Sequence, residues 1–205
     1  MVDKDFRALT VKYGARIDHI PTNIVVSLPY DPNKDGSSSP PTIDGKAIWD
    51  TGASSTVITK SLARKLGLKP TGISQVTNTS GSELKNTFFI NLYLPMGVAI
   101  SYVKATECDS LVGDFDVLIG MDIIGGGDFA VTHADGKTTM SFRYPSIETI
   151  DYAKEAQDIR KQREVKEKFI QLKKRRESHL DRHKLKQKRA KTKKLKKLKS
   201  KQRRH

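Results

Sequence analysis

Ala47-Ile48-Trp49-Asp50-Thr51-Gly52-Ala53-Ser54 leads, through Ser55, into Thr56-Val57-Ile58, so a carboxylate stands between two short apolar runs. Both runs are rich in β-branched or aromatic residues and read as strands. Asp50 therefore sits in a tight turn, where Gly52 lets the backbone fold back on itself. Such a turn can aim one carboxylate at a substrate from a rigid base. An acidic residue beside glycine is also ordinary turn chemistry. The turn gains weight from a second segment, Asp116-Val117-Leu118-Ile119-Gly120-Met121-Asp122-Ile123-Ile124.

Working outward, the body reads as a chain of short strands. Thr22 to Leu28 is rich in Ile and Val, and Tyr30 to Pro41 is loop, with Asp35-Gly36, three serines and paired prolines. Thr59 to Gly67 predicts a helix, capped by Thr59 or Ser61 and closed at Gly67, with Leu62 and Leu66 on one face. Ser74 to Leu94 predicts a long hairpin turning at Asn78 to Ser82. Val98 to Thr106 and Phe115 to Ile119 are further strands, and a brief helix near Ile123 stops at Gly125-Gly126-Gly127. Asp135-Gly136, between Phe129 to Thr132 and Thr138 to Phe142, carries a type I′ hairpin signal. Many short strands with one or two short helices imply a mainly β, closed or nearly closed barrel.

The two motifs together resemble the retropepsin-like aspartic proteases, in which an Asp-Thr/Ser-Gly-Ala/Ser turn lies beside a strand ending in two apolar residues and a glycine. Here the matching pieces are Asp50 to Ser54 and Leu118-Ile119-Gly120. The stretch Gly120 to Ser146 is more similar to bacterial members than to retroviral ones, and the resemblance spans Ile24 to Ser146. It implies a retropepsin-like closed β-barrel over residues 1–150, with Asp50 as the catalytic carboxylate. Thr51, Gly52 and Ala53 would support the turn, Leu118, Ile119 and Gly120 would pack beside it, and Ser80-Gly81 would tip a substrate-covering flap.

Peptide hydrolysis by carboxylates needs one ionised group and one protonated group. This chain has a single Asp-Thr-Gly turn, so the resemblance implies that Asp50 meets Asp50 of a second copy across a two-fold axis. Ala53 stands where the two-lobed members place a serine that hydrogen-bonds the carboxylate, which moves the expected optimum to mildly acidic or neutral pH. Ser54 and Met121 stand where retroviral members carry an ion-paired Asp and Arg, so that network is not expected here.

The formal charge of +15 is unevenly spread: residues 151–205 hold 24 Lys and Arg against 7 Asp and Glu, leaving 14 basic and 16 acidic residues in the body. Residues 151–205 are thus expected to form a basic extension, helical or disordered. Ile159, Val165, Phe169 and Leu172 approximate a helical stripe in its first part, and after Asp181 there is no acidic residue. Residues 182–205 are candidates for sequence-blind nucleic-acid contact or for binding an acidic protein; aromatic residues for base stacking are absent. His179 and His183 lack further zinc ligands, the Asp114, Asp116 and Asp122 group lacks the spacing of a hard-cation loop, and neither metal nor cofactor is expected. Cys108 is the one cysteine, and the N-terminal residues carry acids rather than a secretory apolar core. No apolar run approaches bilayer length, so the expected setting is cytoplasmic, without membrane contact. The reading is an aspartic endopeptidase. Two alternatives are an inactive retropepsin-like module tethered by its tail, and a basic binding protein whose Asp-Thr-Gly turn is coincidental.

Overall fold

The computed structural model describes residues 6–31, 33–36, 39–78 and 81–202; the side chains of 78, 181, 183, 187–191 and 193–202 are outside that description. Two compact units divide it, residues 1–149 and residues 150–205.

In the first unit, β1 (Arg7–Lys12) is followed by β2 (Ile20–Ser27) and β3 (Thr42–Trp49), which enters the Asp50 turn. The chain leaves that turn as β4 (Val57–Thr59) and passes directly into α1 (Lys60–Lys65). Thr59 caps the helix, its hydroxyl accepting from the Leu62 amide at 3.3 Å, and Gly67 takes the left-handed φ of +66° that ends it. A hairpin of β5 (Gly72–Asn78) and β6 (Gly81–Leu94) comes next, then β7 (Val98–Cys108), β8 (Val117–Ile119) and the single turn of α2 (Met121–Ile124). The unit closes with β9 (Asp128–Thr132) and β10 (Thr139–Tyr144). Between these two strands Asp135 and Gly136 both have positive φ and the Lys137 amide bonds the Ala134 carbonyl, as a type I′ turn requires.

Strand pairing runs β2-β3-β8-β4-β7-β6, and β6 pairs back onto β2 through Val25–Tyr93, Val26–Leu92 and Ser27–Asn91. Six strands therefore close a barrel, filled by Ile24, Val26, Ala47, Ile58, Ile90, Leu92, Val117 and Ile119. β5 stays outside the ring, and among the described residues it pairs only with the first half of β6. A smaller sheet, β1-β10-β9, packs into the same core. β1 has no counterpart among the expected strands, although its Leu9 and Val11 alternate with polar residues as a half-buried strand should.

Trp49, the residue before the catalytic candidate, joins the two sheets. Its ring lies 5.3 Å from Phe129 and 4.9 Å from Phe142, and its indole nitrogen donates to the Thr22 hydroxyl at 2.8 Å. A buried indole needs that partner, and here it is met without water.

Asp128 ties the end of the unit to the small sheet. It accepts from the Ser146 hydroxyl at 2.6 Å, the Ile147 amide at 3.1 Å and the Arg143 guanidinium at 2.6 Å. The Ser146 and Ile147 donors, then Arg143, hold this carboxyl well below the usual carboxylate range. A folded-state value below the unfolded one means that the stabilisation is complete above about pH 4 and is lost as pH falls through the folded value. Asp128→Asn is expected to melt earlier than wild type at neutral pH and to lose less on acidification. Thermal melts at stepped pH check this, and parallel curves would refute it.

The second unit is one helix, α3 (Tyr152–Gln202), 51 residues or about 77 Å long. Asp151 caps it, accepting from the Lys154 amide at 2.9 Å. Ile159, Val165, Phe169 and Leu172 are all exposed. The strongly basic part, which charge repulsion alone would leave disordered, is helical through Gln202. Lys, Arg, Gln, Leu and Ala are good helix formers, and no Gly or Pro interrupts residues 151–205. Like-charge pairs cost only a few tenths of a kcal/mol each. Among the described residues no helix is long and apolar enough to cross a membrane.

Candidate active site

The two arms of the Asp50 turn do not pair with each other. β8 lies between them, parallel to β3 through Ala47–Val117, Ile48–Leu118 and Trp49–Ile119, and antiparallel to β4 through Val57–Leu118 and Ile58–Val117. The Leu118-Ile119-Gly120 segment is thus the wedge that holds the turn open. Val117 and Ile119 are fully buried, and Leu118 is partly so.

Backbone bonds lock the turn to this wedge. The Asp50 amide donates to the Ile119 carbonyl at 3.0 Å, and the Met121 amide donates to the Ala53 carbonyl at 2.8 Å. The Gly52 amide donates to Asp50 Oδ1 at 2.8 Å, which fixes the carboxylate plane. Asp50 Oδ2 has no hydrogen-bond partner among the described residues, and Asp50 is partly exposed. Thr51 and Gly52 are exposed at the tip, and the Thr51 hydroxyl is likewise without a partner among the described residues. Ala53 is half-buried beneath them.

Two residues outside the expected site complete the brace. The Asp122 carboxylate accepts from the Thr56 amide at 3.0 Å, the Thr56 hydroxyl at 2.8 Å and the Ile123 amide at 3.1 Å. The Thr56 hydroxyl in turn accepts from the Gly120 amide at 3.3 Å. Thr56 is fully buried, so Asp122 satisfies polar groups that water cannot reach. Removing a partner from a buried donor costs about 1–3 kcal/mol. Asp122→Ala is expected to destabilise by that amount and to open the Thr56 amide to hydrogen exchange; an amide still protected would refute the role.

Asp116 does similar work at the other end of β8. It accepts from the Lys46 amide at 3.0 Å, while its own amide donates to the Lys46 carbonyl at 2.8 Å. The neighbouring carboxylates 116 and 122 therefore staple different strands instead of converging, and among the described residues no three His, Cys, Asp or Glu are grouped to hold a metal. No spacing rule in the sequence distinguishes Thr56 and Asp122; only their meeting across 66 residues does.

Residues 42–125 match the family model described as gag-polyprotein putative aspartyl protease. Over that stretch the chain is similar to the retropepsin-like aspartic proteases. Similar folds include a retropepsin-like aspartic protease from Rickettsia conorii, 17% identical, with TM-score 0.42 and coverage of 70% of this chain and 99% of that one. They also include an inhibitor-bound EIAV protease, 14% identical, TM-score 0.37, covering 53% and 86%, and the simian foamy virus (mac) protease, 13% identical, TM-score 0.33, covering 52% and 92%. No curated protein sequence matches the chain significantly.

The β5–β6 hairpin extends past the barrel from a tethered base. Lys85 reaches Glu83 at 2.7 Å and Asp109 at 3.2 Å, Lys60 also reaches Asp109 at 2.5 Å, and the Asn86 amide donates to Glu107 at 2.9 Å. Within that base Ile73 and Leu84 are exposed at neighbouring register positions on one face. Gly81 opens β6 with φ +131°, while Ser80 lies outside the described residues. A cleft of about 630 Å³, lined by Asn23, Asp44, Lys46, Tyr93 and Asp114 among others, opens elsewhere. Its Lys46 is four residues up β3 from Asp50, about 13 Å along the strand.

Proposed function

We propose that the chain is an aspartic endopeptidase whose catalytic pair assembles from Asp50 of two copies. One observation carries the reading: a rigidly braced turn presents Asp50 with one carboxylate oxygen held by Gly52 and the other, among the described residues, unpartnered, beside an exposed Thr51 hydroxyl. A chain with one such turn is half of a site, and a self-complementary two-fold contact completes it. Two carboxyls about 3 Å apart cannot both ionise and share one proton. The ionised member then takes a proton from the attacking water while its partner donates to the carbonyl oxygen.

In this assignment Thr51 bonds the partner's turn across the axis, Gly52 leaves room for the substrate backbone, and the hairpin that includes Ser80 and Gly81 closes over the peptide. Leu118, Ile119 and Gly120 support the turn from beneath. The substrate is a peptide or protein. A reducing compartment such as the cytoplasm suits a chain with a single cysteine, Cys108.

The test is subunit mixing. Adding an equal amount of inactive Asp50→Asn chain to a fixed amount of fully dimeric wild type is expected to roughly halve cleavage, since mixed dimers carry half a pair. Cleavage unaffected by the added chain would overturn the shared site. The second reading, an inactive retropepsin-like module tethered to nucleic acid or an acidic partner, is favoured by the basic charge of residues 151–205. Wild type that dimerises yet cleaves no unstructured peptide library would establish it over the first.

A further inference from the structure

We propose that Arg182 to Gln202 is a docking surface for the phosphate backbone of duplex nucleic acid, and that a shared duplex pairs two copies of the chain. The pairing half rests on the two-copy site proposed above.

Residues 182–202 are continuous helix and span about 30 Å. They contain twelve Lys and Arg and no acidic residue, and every run of four holds at least two. That is one positive charge per roughly 2.6 Å, against one negative charge per about 1.7 Å of duplex. The segment is as long as about nine base pairs of duplex. The first part of α3 differs, because Glu155, Asp158, Glu164, Glu167 and Glu177 dilute its charge. Leu185, Leu195 and Leu198 are the large apolar residues of the basic segment and are too few for the broad apolar face of a membrane-surface helix. Ten of the twelve cations are lysines, which neutralise phosphate as point charges, and no aromatic residue is present to stack on bases, so recognition is of backbone charge and blind to sequence.

The consequence concerns assembly. Two protomers on one duplex meet at the effective concentration set by their spacing rather than by bulk dilution. A two-copy site is then completed where nucleic acid is present and falls apart where each protomer has a duplex to itself.

Full-length Asp50→Asn chain with a 40-base-pair duplex of arbitrary sequence tests both halves without relying on cleavage. Anisotropy from about 50 to 200 mM KCl is expected to show affinity falling about a thousand-fold or more. Replacing Lys193, Lys194, Lys196 and Lys197 by Gln, which keeps helix propensity, should lower the slope of log affinity against log salt by about 0.9 for each phosphate no longer neutralised. Sedimentation should find at least two protomers per 40-base-pair duplex at low duplex, cross-linkable through their bodies, one at excess duplex, and one on a 10-base-pair duplex. A flat salt response, or competition by polyglutamate as effective as by duplex, overturns the nucleic-acid assignment. Salt-dependent binding with bodies that never cross-link on the long duplex overturns the pairing. Wild type that pairs this way but cleaves nothing leaves this proposal standing and removes the endopeptidase reading.

Discussion

Asp50→Asn is expected to lower peptide cleavage by about a thousand-fold or more while leaving the melting temperature nearly unchanged. The first half follows from chemistry: an amide can neither take a proton from water nor share one with a second carboxyl, and positioned acid–base groups contribute about 10²–10⁴-fold. The second half follows from geometry. The Gly52 amide donates to Asp50 Oδ1 at 2.8 Å, and an asparagine carbonyl oxygen can accept the same bond. The other oxygen has no partner to lose among the described residues. Initial rates on an unstructured peptide substrate and a melt of the same preparation check the two together. Full cleavage by the variant would remove Asp50 from the chemistry, and a collapsed melting temperature would mean that its role is structural.

Gly120→Ala is expected to destabilise the body by about 3 kcal/mol and to abolish activity with it. Gly120 has φ −93°, an ordinary value, so the restriction is space and not conformation. A Cβ there would stand 2.5 Å from the Ser55 carbonyl carbon and 2.6 Å from its oxygen. Those are main-chain atoms, and no side-chain rotamer can relieve the overlap. Something must shift, and what shifts is the exit arm of the Asp50 turn, because Ser55 immediately precedes the Thr56 that Asp122 clamps. For a body of this size the melting temperature should fall by about 10 °C. Gly14→Ala is the matched control, with nothing within 4 Å of the added carbon and no positive φ, and should stay within about 0.5 kcal/mol of wild type. Equal melting of the two variants would show that the turn tolerates a wider wedge than this packing allows.

Both expectations concern the same few ångströms, and they divide what is local from what is not. The Asp50-Thr51-Gly52 turn, the Thr59 cap, the Gly67 stop and the Asp135-Gly136 hairpin were all legible because each is decided by residues within one turn of chain. The strand at Arg7–Lys12 was less so: six residues of weak alternation acquire their identity from pairing with Thr139–Tyr144, about 130 positions away. The clustered aspartates show the opposite error that sequence invites. Proximity along the chain suggests joint action by Asp114, Asp116 and Asp122, and the strands carry 116 and 122 to different tasks.

Taken alone, the sequence determined the carboxylate-bearing turn, the alternation of short strands, and a tail that carries the whole of the net positive charge. These depend on composition and on contacts between near neighbours, whose free energies are the same in any fold. Only the tertiary structure decided that β8 separates the two arms of the turn, that Asp122 satisfies the buried Thr56, and that β6 returns to β2 to close the barrel. Those are pairings between segments far apart in the chain. They are selected by which apolar faces can be buried together and which buried polar groups can find partners, and that choice leaves no trace in the spacing of residues.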